Sequence, residues 1–283
     1  MIYLIFCILI SVAILTFFRL FDRFLIDRNN TIILSYFISF LLAFFSRDLE
    51  FDFKNLPDFQ WFYIGILLGV TFYIGFQLFA LSTKKIGLAI TSVSGNLSVI
   101  VPVIIAMIFY HESTSFSKIA GLILTLLSFY LIFKPNKNIK IGIDFIYLPF
   151  LLFTFNGINA SLLSYGEKVG AGKFMMVFMA LIFLSAGIFG FATNFFNKKR
   201  NKINYQSIIA SIALGALNYA STITILKSLT FYADSIFFPI YNSGYIAISA
   251  LVGFILFKEK LRGVNFLGIA LAMIAIIIIT SGI

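Results

Sequence analysis

Charged residues are scarce in this chain of 283 residues, at 11%, while apolar ones fill 61%. Soluble domains carry roughly a quarter charged and about half apolar residues, so a water-exposed globule is excluded. Cysteine, histidine and tryptophan occur once each. A single cysteine, Cys7, cannot form an internal disulfide, and it stands inside an apolar run as a small packing residue. The single histidine, His111 in HESTS, lacks the second histidine of a zincin motif, so no metal site is expected. GxSxG and GxxxxGK are absent, which excludes ATP-driven pumping by this chain alone, and no Ser, His and Asp set is available for catalysis. Neither an enzyme activity nor a cofactor is expected. No Asp or Glu stands in the middle of an apolar run, which argues against a carrier that trades protons for cations, because such carriers require a buried carboxylate.

What the chain does have is apolar runs almost end to end. About 20 apolar residues cross a hydrocarbon core of roughly 30 Å. Ten spans are expected, at about 2–20, 31–46, 61–82, 86–109, 117–133, 144–165, 172–195, 206–229, 233–257 and 262–282. The first, Ile2 to Phe18, has no basic leader or small-residue cleavage site and reads as a retained helix. Between spans two and three, Arg47 to Gln60 mixes charges with Phe51, Phe53, Leu56 and Phe59 and reads as an interfacial segment. Trp61 and Tyr63 then suit an aromatic belt. The net charge of +10 sits in short clusters between the runs, where it signals topology and meets lipid headgroups; no nucleic-acid partner is expected.

The apolar hairpin from Ala233 to Gly282 repeats the pattern of Ile86 to Phe133, 147 residues earlier. In both copies an apolar run ends in an acidic residue and a glycine follows nine positions later: Glu112 with Gly121, Glu259 with Gly268. A polar connection, residues 135–143, divides the chain into halves 1–134 and 144–283 of five spans each. An odd number of spans per half inverts the second half relative to the first. The fold expected is therefore an all-α integral membrane protein with ten transmembrane helices in two inverted five-helix repeats. In transporters so built, the substrate site tends to lie near the midplane between the repeats. Lys and Arg number 15 in the connections after odd-numbered spans and 6 on the other side. The positive-inside rule then places both termini outside the cytoplasm.

LFKEKLRGVNFLG at Leu256 to Gly268 and FYHESTSFSKIAG at Phe109 to Gly121, each closing a five-span half, resemble the EamA domains of the drug/metabolite transporter superfamily. The first-half hairpin departs from the family pattern at His111 and in its Ser/Thr-rich turn. Ser92 to Pro102 and Ile236 to Ser249 are similar to the family's small-residue and proline stretches. The resemblance implies a secondary transporter, often an exporter, of small metabolites such as amino acids. It also implies a central cavity lined by the first four helices of each half, with the fifth and tenth at the periphery. Family members are drawn with cytoplasmic termini, contrary to the charge count, and the orientation stays open. The location expected is the cell (inner) membrane, with lipids and a small-molecule substrate as partners. A non-transporting membrane partner or sensor subunit is the second reading.

Polar side chains inside apolar spans are costly and face a cavity or a neighbouring helix. They concentrate in spans three, four, six, eight and nine. The substrate-binding candidates are Arg19, Tyr73, Gln77, Asn96, Asn156, Asn159, Asn218, Tyr219, Thr222, Tyr241 and Asn242. Asn156 and Asn159 are three apart and Asn218 and Thr222 four apart, so each pair shares a helical face. The competing reading is helix-to-helix bonding worth about 0.6 kcal/mol per residue. Arg19 either snorkels to the interface, three residues from Asp22, or points into the cavity mouth towards a substrate carboxylate. Lys227 has the same two readings. Glu112 and Glu259, where new helices begin, read as partners of helix dipoles and free N–H groups. Gly121, Gly268 and Ala272 suit close helix contacts.

Overall fold

In a hydrocarbon core there is no water to bond the backbone, so an apolar run satisfies its own N–H and C=O groups by forming a helix. The computed structural model describes residues 2–24, 26–47, 51–85, 94–112, 115–132, 145, 147–195, 204–257 and 263–281. Among these there is no strand. Ten α-helices of ten residues or more follow in order: α1 (Ile2–Arg23), α2 (Arg28–Phe45), α3 (Gln60–Lys85), α4 (Ile100–Phe109), α5 (Phe116–Ile132), α6 (Tyr147–Lys168), α7 (Met175–Phe195), α8 (Tyr205–Leu229), α9 (Asp234–Phe257) and α10 (Gly263–Ser281). The connection 135–143, the residue Glu259 and the side chains of Arg19 and Asp22 lie outside the described residues.

The chain is an all-helical membrane protein. Each helix overlaps one expected span, yet among the described residues five segments, rather than ten, are long and apolar enough to cross a membrane. They are Arg28–Phe45, Gln60–Phe79, Ala171–Phe195, Tyr205–Leu229 and Asp234–Gly253. Length is one reason for the difference: the 17 residues of α5 reach about 25 Å at 1.5 Å each, short of a core of roughly 30 Å. Composition is another. α6 is long enough at 22 residues, but Asn156 and Asn159 interrupt its apolar run.

Two compact units form, one from Met1–Tyr73 with Leu162–Thr230, the other from Ile74–Ser161 with Phe231–Ile283. Each therefore takes a segment from both halves of the sequence. In the first unit α2 packs against α7 and α8, and α1 against α8. Small residues let these helices approach closely. A Cβ on Gly215 would lie 2.7 Å from the Ile38 side chain and 2.9 Å from the Ser35 carbonyl oxygen. The Ser39 hydroxyl donates to the Gly215 carbonyl at 2.8 Å. Where α3 meets α7, a Cβ on Gly69 would collide with Ser185 and with the Ile182 backbone.

Trp61 corrects the reading as a belt residue, because it is only 1% exposed. The Phe59 ring stacks on it at 5.2 Å, with Phe51, Phe174 and Phe178 at 6.0 to 6.3 Å. Burying the indole among rings removes more apolar surface from water than a place in the headgroups would. Tyr63 remains exposed.

In the second unit α5 packs along α10, and α9 contacts α4, α5 and α10. Gly121 faces Ile279 so closely that a Cβ would overlap it. Thr125 and Ser243, both fully buried, share a hydrogen bond of 2.9 Å. On α5 the residues Ile119, Ile123, Leu127 and Tyr130 form an exposed apolar stripe at helical spacing, as lipid-facing helices do.

Candidate functional site

A hydroxyl inside an apolar helix is most simply satisfied by a carbonyl of its own preceding turn. Most of those described here follow that rule. On α8, Ser211 donates to the Ser207 carbonyl, Thr224 to Ala220 and Ser228 to Thr224, at 2.6 to 2.8 Å. Ser161 on α6 donates to the Gly157 carbonyl at 2.8 Å, and Thr71 on α3 to Leu68 at 3.0 Å. These groups are closed upon themselves and offer a ligand little.

Asn218 and Thr222 of α8 do not follow it. Their exposures are 8% and 6%, and neither makes a side-chain hydrogen bond with the described residues. Both belong to the buried face that carries Leu214, Gly215 and Ser221. Ser221 reaches across to Ser11 of α1 at 3.2 Å. The neighbouring Tyr219, half-buried, directs its hydroxyl to the Met176 sulfur at 3.6 Å. At the end of α8 the Lys227 ammonium lies 5.2 Å from the Tyr3 ring centroid, a cation–π contact rather than a free charge.

Tyr73, 6% exposed, is drawn into a network that the sequence did not reveal. The Thr193 hydroxyl donates to the Tyr73 oxygen at 2.9 Å, and the Tyr73 hydroxyl faces Asn29 Oδ1 at 3.5 Å. Asn29 Nδ2 donates to Asn194 Oδ1 at 2.9 Å, and Asn194 Nδ2 donates to Asn30 Oδ1 at 3.1 Å. The start of α2 is thereby tied to the end of α7. Asp27, whose carboxylate caps α2 at the Asn30 N–H, receives support from Ser207, which accepts the Asp27 N–H. Asn29 and Asn30 stand outside the expected span two, and Asn194 is the penultimate residue of span seven. Only their amide chemistry marked them.

In the second unit, Asn156 and Asn159 share a face of α6 beside two glycines. A Cβ on Gly95 would lie 2.8 Å from Asn156 Nδ2, and one on Gly75 would lie 3.2 Å from Asn159 Nδ2. The missing side chains leave the space that the amides occupy. Asn156, half-buried, makes no side-chain hydrogen bond with the described residues. Gln77 is half-buried and Asn96 buried; both residues belong to the same unit, and each already has an interaction partner. Tyr241 stacks on Phe237 at 5.6 Å and on Tyr245 at 6.2 Å, making a ladder along α9. Asn242 turns its amide back and donates to the Phe238 carbonyl at 2.8 Å, one turn earlier in its own helix.

No family model matches the chain. A protein of Haemophilus influenzae, described only as uncharacterized, is 25% identical over 282 residues, spanning 96% of this chain and 95% of that one. A crystal structure aligns over 99% of this chain and 96% of its own with a TM-score of 0.79 and 10% identity, a likeness of fold alone.

Proposed function

We propose that the chain is a secondary transporter of the EamA type that exports small metabolites such as amino acids by alternating access around a polar pathway. It crosses the cell (inner) membrane ten times, as two inverted five-helix repeats. The reading is carried by the hydrogen-bonding capacity that Asn156, Asn218 and Thr222 leave unused among the described residues, beside hydroxyls such as those of Ser211, Thr224 and Ser161 that bond within their own helices. An amide buried without a partner costs about 1–3 kcal/mol, so water or cargo has to meet it.

Packing supports the repeat. Ile182 and Ser185 lie 147 residues after Ser35 and Ile38, and Gly215 lies 146 after Gly69. The helix contact of Gly215 with Ser35 and Ile38 thus recurs, with the halves exchanged, in that of Gly69 with Ile182 and Ser185. The shorter helices cross by local thinning of the bilayer, at a cost of fractions of a kcal/mol per Å.

The test is flux. Proteoliposomes loaded with a panel of amino acids and related metabolites should release at least one of them faster than protein-free vesicles. Asn156→Leu and Asn218→Leu should each reduce that release by about tenfold, the cost of losing one good polar contact. Absence of flux for every compound under several gradients would count against transport and favour a sensor or partner subunit.

A further inference from the structure

Within the first unit, the hydrogen-bond network at the start of α2 has a counterpart at the other end of the same helix pair, and the two differ in strength. α2 and α7 run antiparallel: Asn30 meets Asn194, a Cβ on Gly190 would lie 3.1 Å from the Ile33 side chain, and one on Gly187 would lie 3.1 Å from that of Phe37. The two ends are about 27 Å apart, the length of the 18 residues of α2. Met176 stands 147 residues after Asn29, and Tyr219 stands 146 after Tyr73. Each tyrosine hydroxyl meets its matched partner, Asn29 Oδ1 at 3.5 Å and the Met176 sulfur at 3.6 Å. Their surroundings are unequal. Tyr73 also accepts from Thr193 at 2.9 Å, and Asn194 bonds both Asn29 and Asn30. The residues matched to Thr193, Asn194 and Asn30 are Ser46, Arg47 and Val177. Arg47 turns back to the carbonyl and ring of Phe44, Ser46 makes no side-chain hydrogen bond with the described residues, and valine has no polar group to offer. A thioether is a weak acceptor. One end is therefore fastened and the other only touched.

We infer that Tyr73, Thr193, Asn29, Asn30 and Asn194 form a clasp that closes one end of the transport path, and that Tyr219 on Met176 is its weaker, repeat-related partner, so that the resting protein opens at the Tyr219 end. This deepens the transport reading and rests on it, because alternating access needs two ends that open in turn. Asn29, Asn30, Thr193 and Asn194 are half-buried. Water can take over their hydrogen bonds when the helices part, which makes the clasp reversible. Asn218, whose side chain makes no hydrogen bond with the described residues, precedes Tyr219 on α8, and the looser end is where water reaches it.

The experiment is hydrogen exchange of the purified full-length protein in lipid nanodiscs, read by mass spectrometry. Tyr73→Phe keeps the ring against Gly190 and Phe189 and removes the hydroxyl. It should speed exchange in the last turns of α7 by about fivefold, the factor that one net hydrogen bond carries. Tyr219→Phe should speed exchange in the first turns of α7 by less than about twofold. A response at the Tyr219 end as large as that at the Tyr73 end, or none at the Tyr73 end, would overturn the proposal. Flux then separates a moving clasp from a static tie. In a Cys7→Ser background, the pair Asn30→Cys and Asn194→Cys, oxidised to a disulfide, should halt flux in proteoliposomes, and a reductant should restore it. Flux unchanged by the disulfide would overturn the clasp and leave transport standing. Unequal exchange at the two ends, with no flux of any compound through the unsubstituted protein, would uphold the clasp and reject transport.

Discussion

The Glu112 carboxylate bridges two backbone N–H groups at the start of α9, that of Asp234 at 3.1 Å and that of Ser235 at 3.0 Å. The sequence pointed to an acidic group at a helix N-terminus, and the structure gives it a helix that begins 122 residues later. Such groups lack partners within their own helix, and a carboxylate there meets both the free N–H groups and the dipole. Glu112→Ala should destabilise the protein by about 1–3 kcal/mol, measured by reversible unfolding in detergent. Glu112→Gln keeps a carbonyl acceptor and should cost less than half as much.

Two asparagines on different helices should respond in opposite ways. Asn194 holds Asn29 and Asn30, so Asn194→Leu should lower stability by about 1–3 kcal/mol through the orphaned amides. Asn218 has no such partner among the described residues, so Asn218→Leu should leave stability unchanged or raised while impairing flux. Thermal midpoints and efflux rates, read side by side, check the contrast.

Close packing makes glycine positions unequal. Gly215→Leu has to push Ile38 and the α2 backbone aside, and should cost about 1–3 kcal/mol or more. Gly263, which has nothing within 4 Å of an added Cβ, should accept alanine within about 0.5 kcal/mol. Expression and midpoint temperature in detergent separate the two.

Trp61 is the only tryptophan, so intrinsic fluorescence reports on its cluster alone. At 1% exposure its emission should be blue-shifted and nearly insensitive to iodide. Trp61→Ala should cost about 3–5 kcal/mol.

Helical class and helix positions were legible because period and apolar length are local properties. The proposed repeat rests, on the side of the sequence, on the spacing of Glu112 and Gly121 against Glu259 and Gly268. Trp61 was misread because an aromatic residue next to a charged segment looks the same whether it meets headgroups or other rings; Phe174, more than a hundred residues away, decides which. The partners of Asn29 and Asn30 were illegible for the same reason, since Asn194 joins them only after α2 and α7 pack together. Asn218 and Thr222 were singled out by spacing. That Thr222 leaves its hydroxyl unbonded while Thr224 turns its own back is a rotamer difference that composition does not encode.

Accessibility of the buried amides to water is the most direct measurement. In a Cys7→Ser background, Asn156→Cys and Asn218→Cys should each react with a small membrane-impermeant thiol reagent in intact membranes, and added cargo should slow the reaction. If both cysteines stay unreactive until the protein is denatured, the amides are sealed among helices and the polar pathway does not exist.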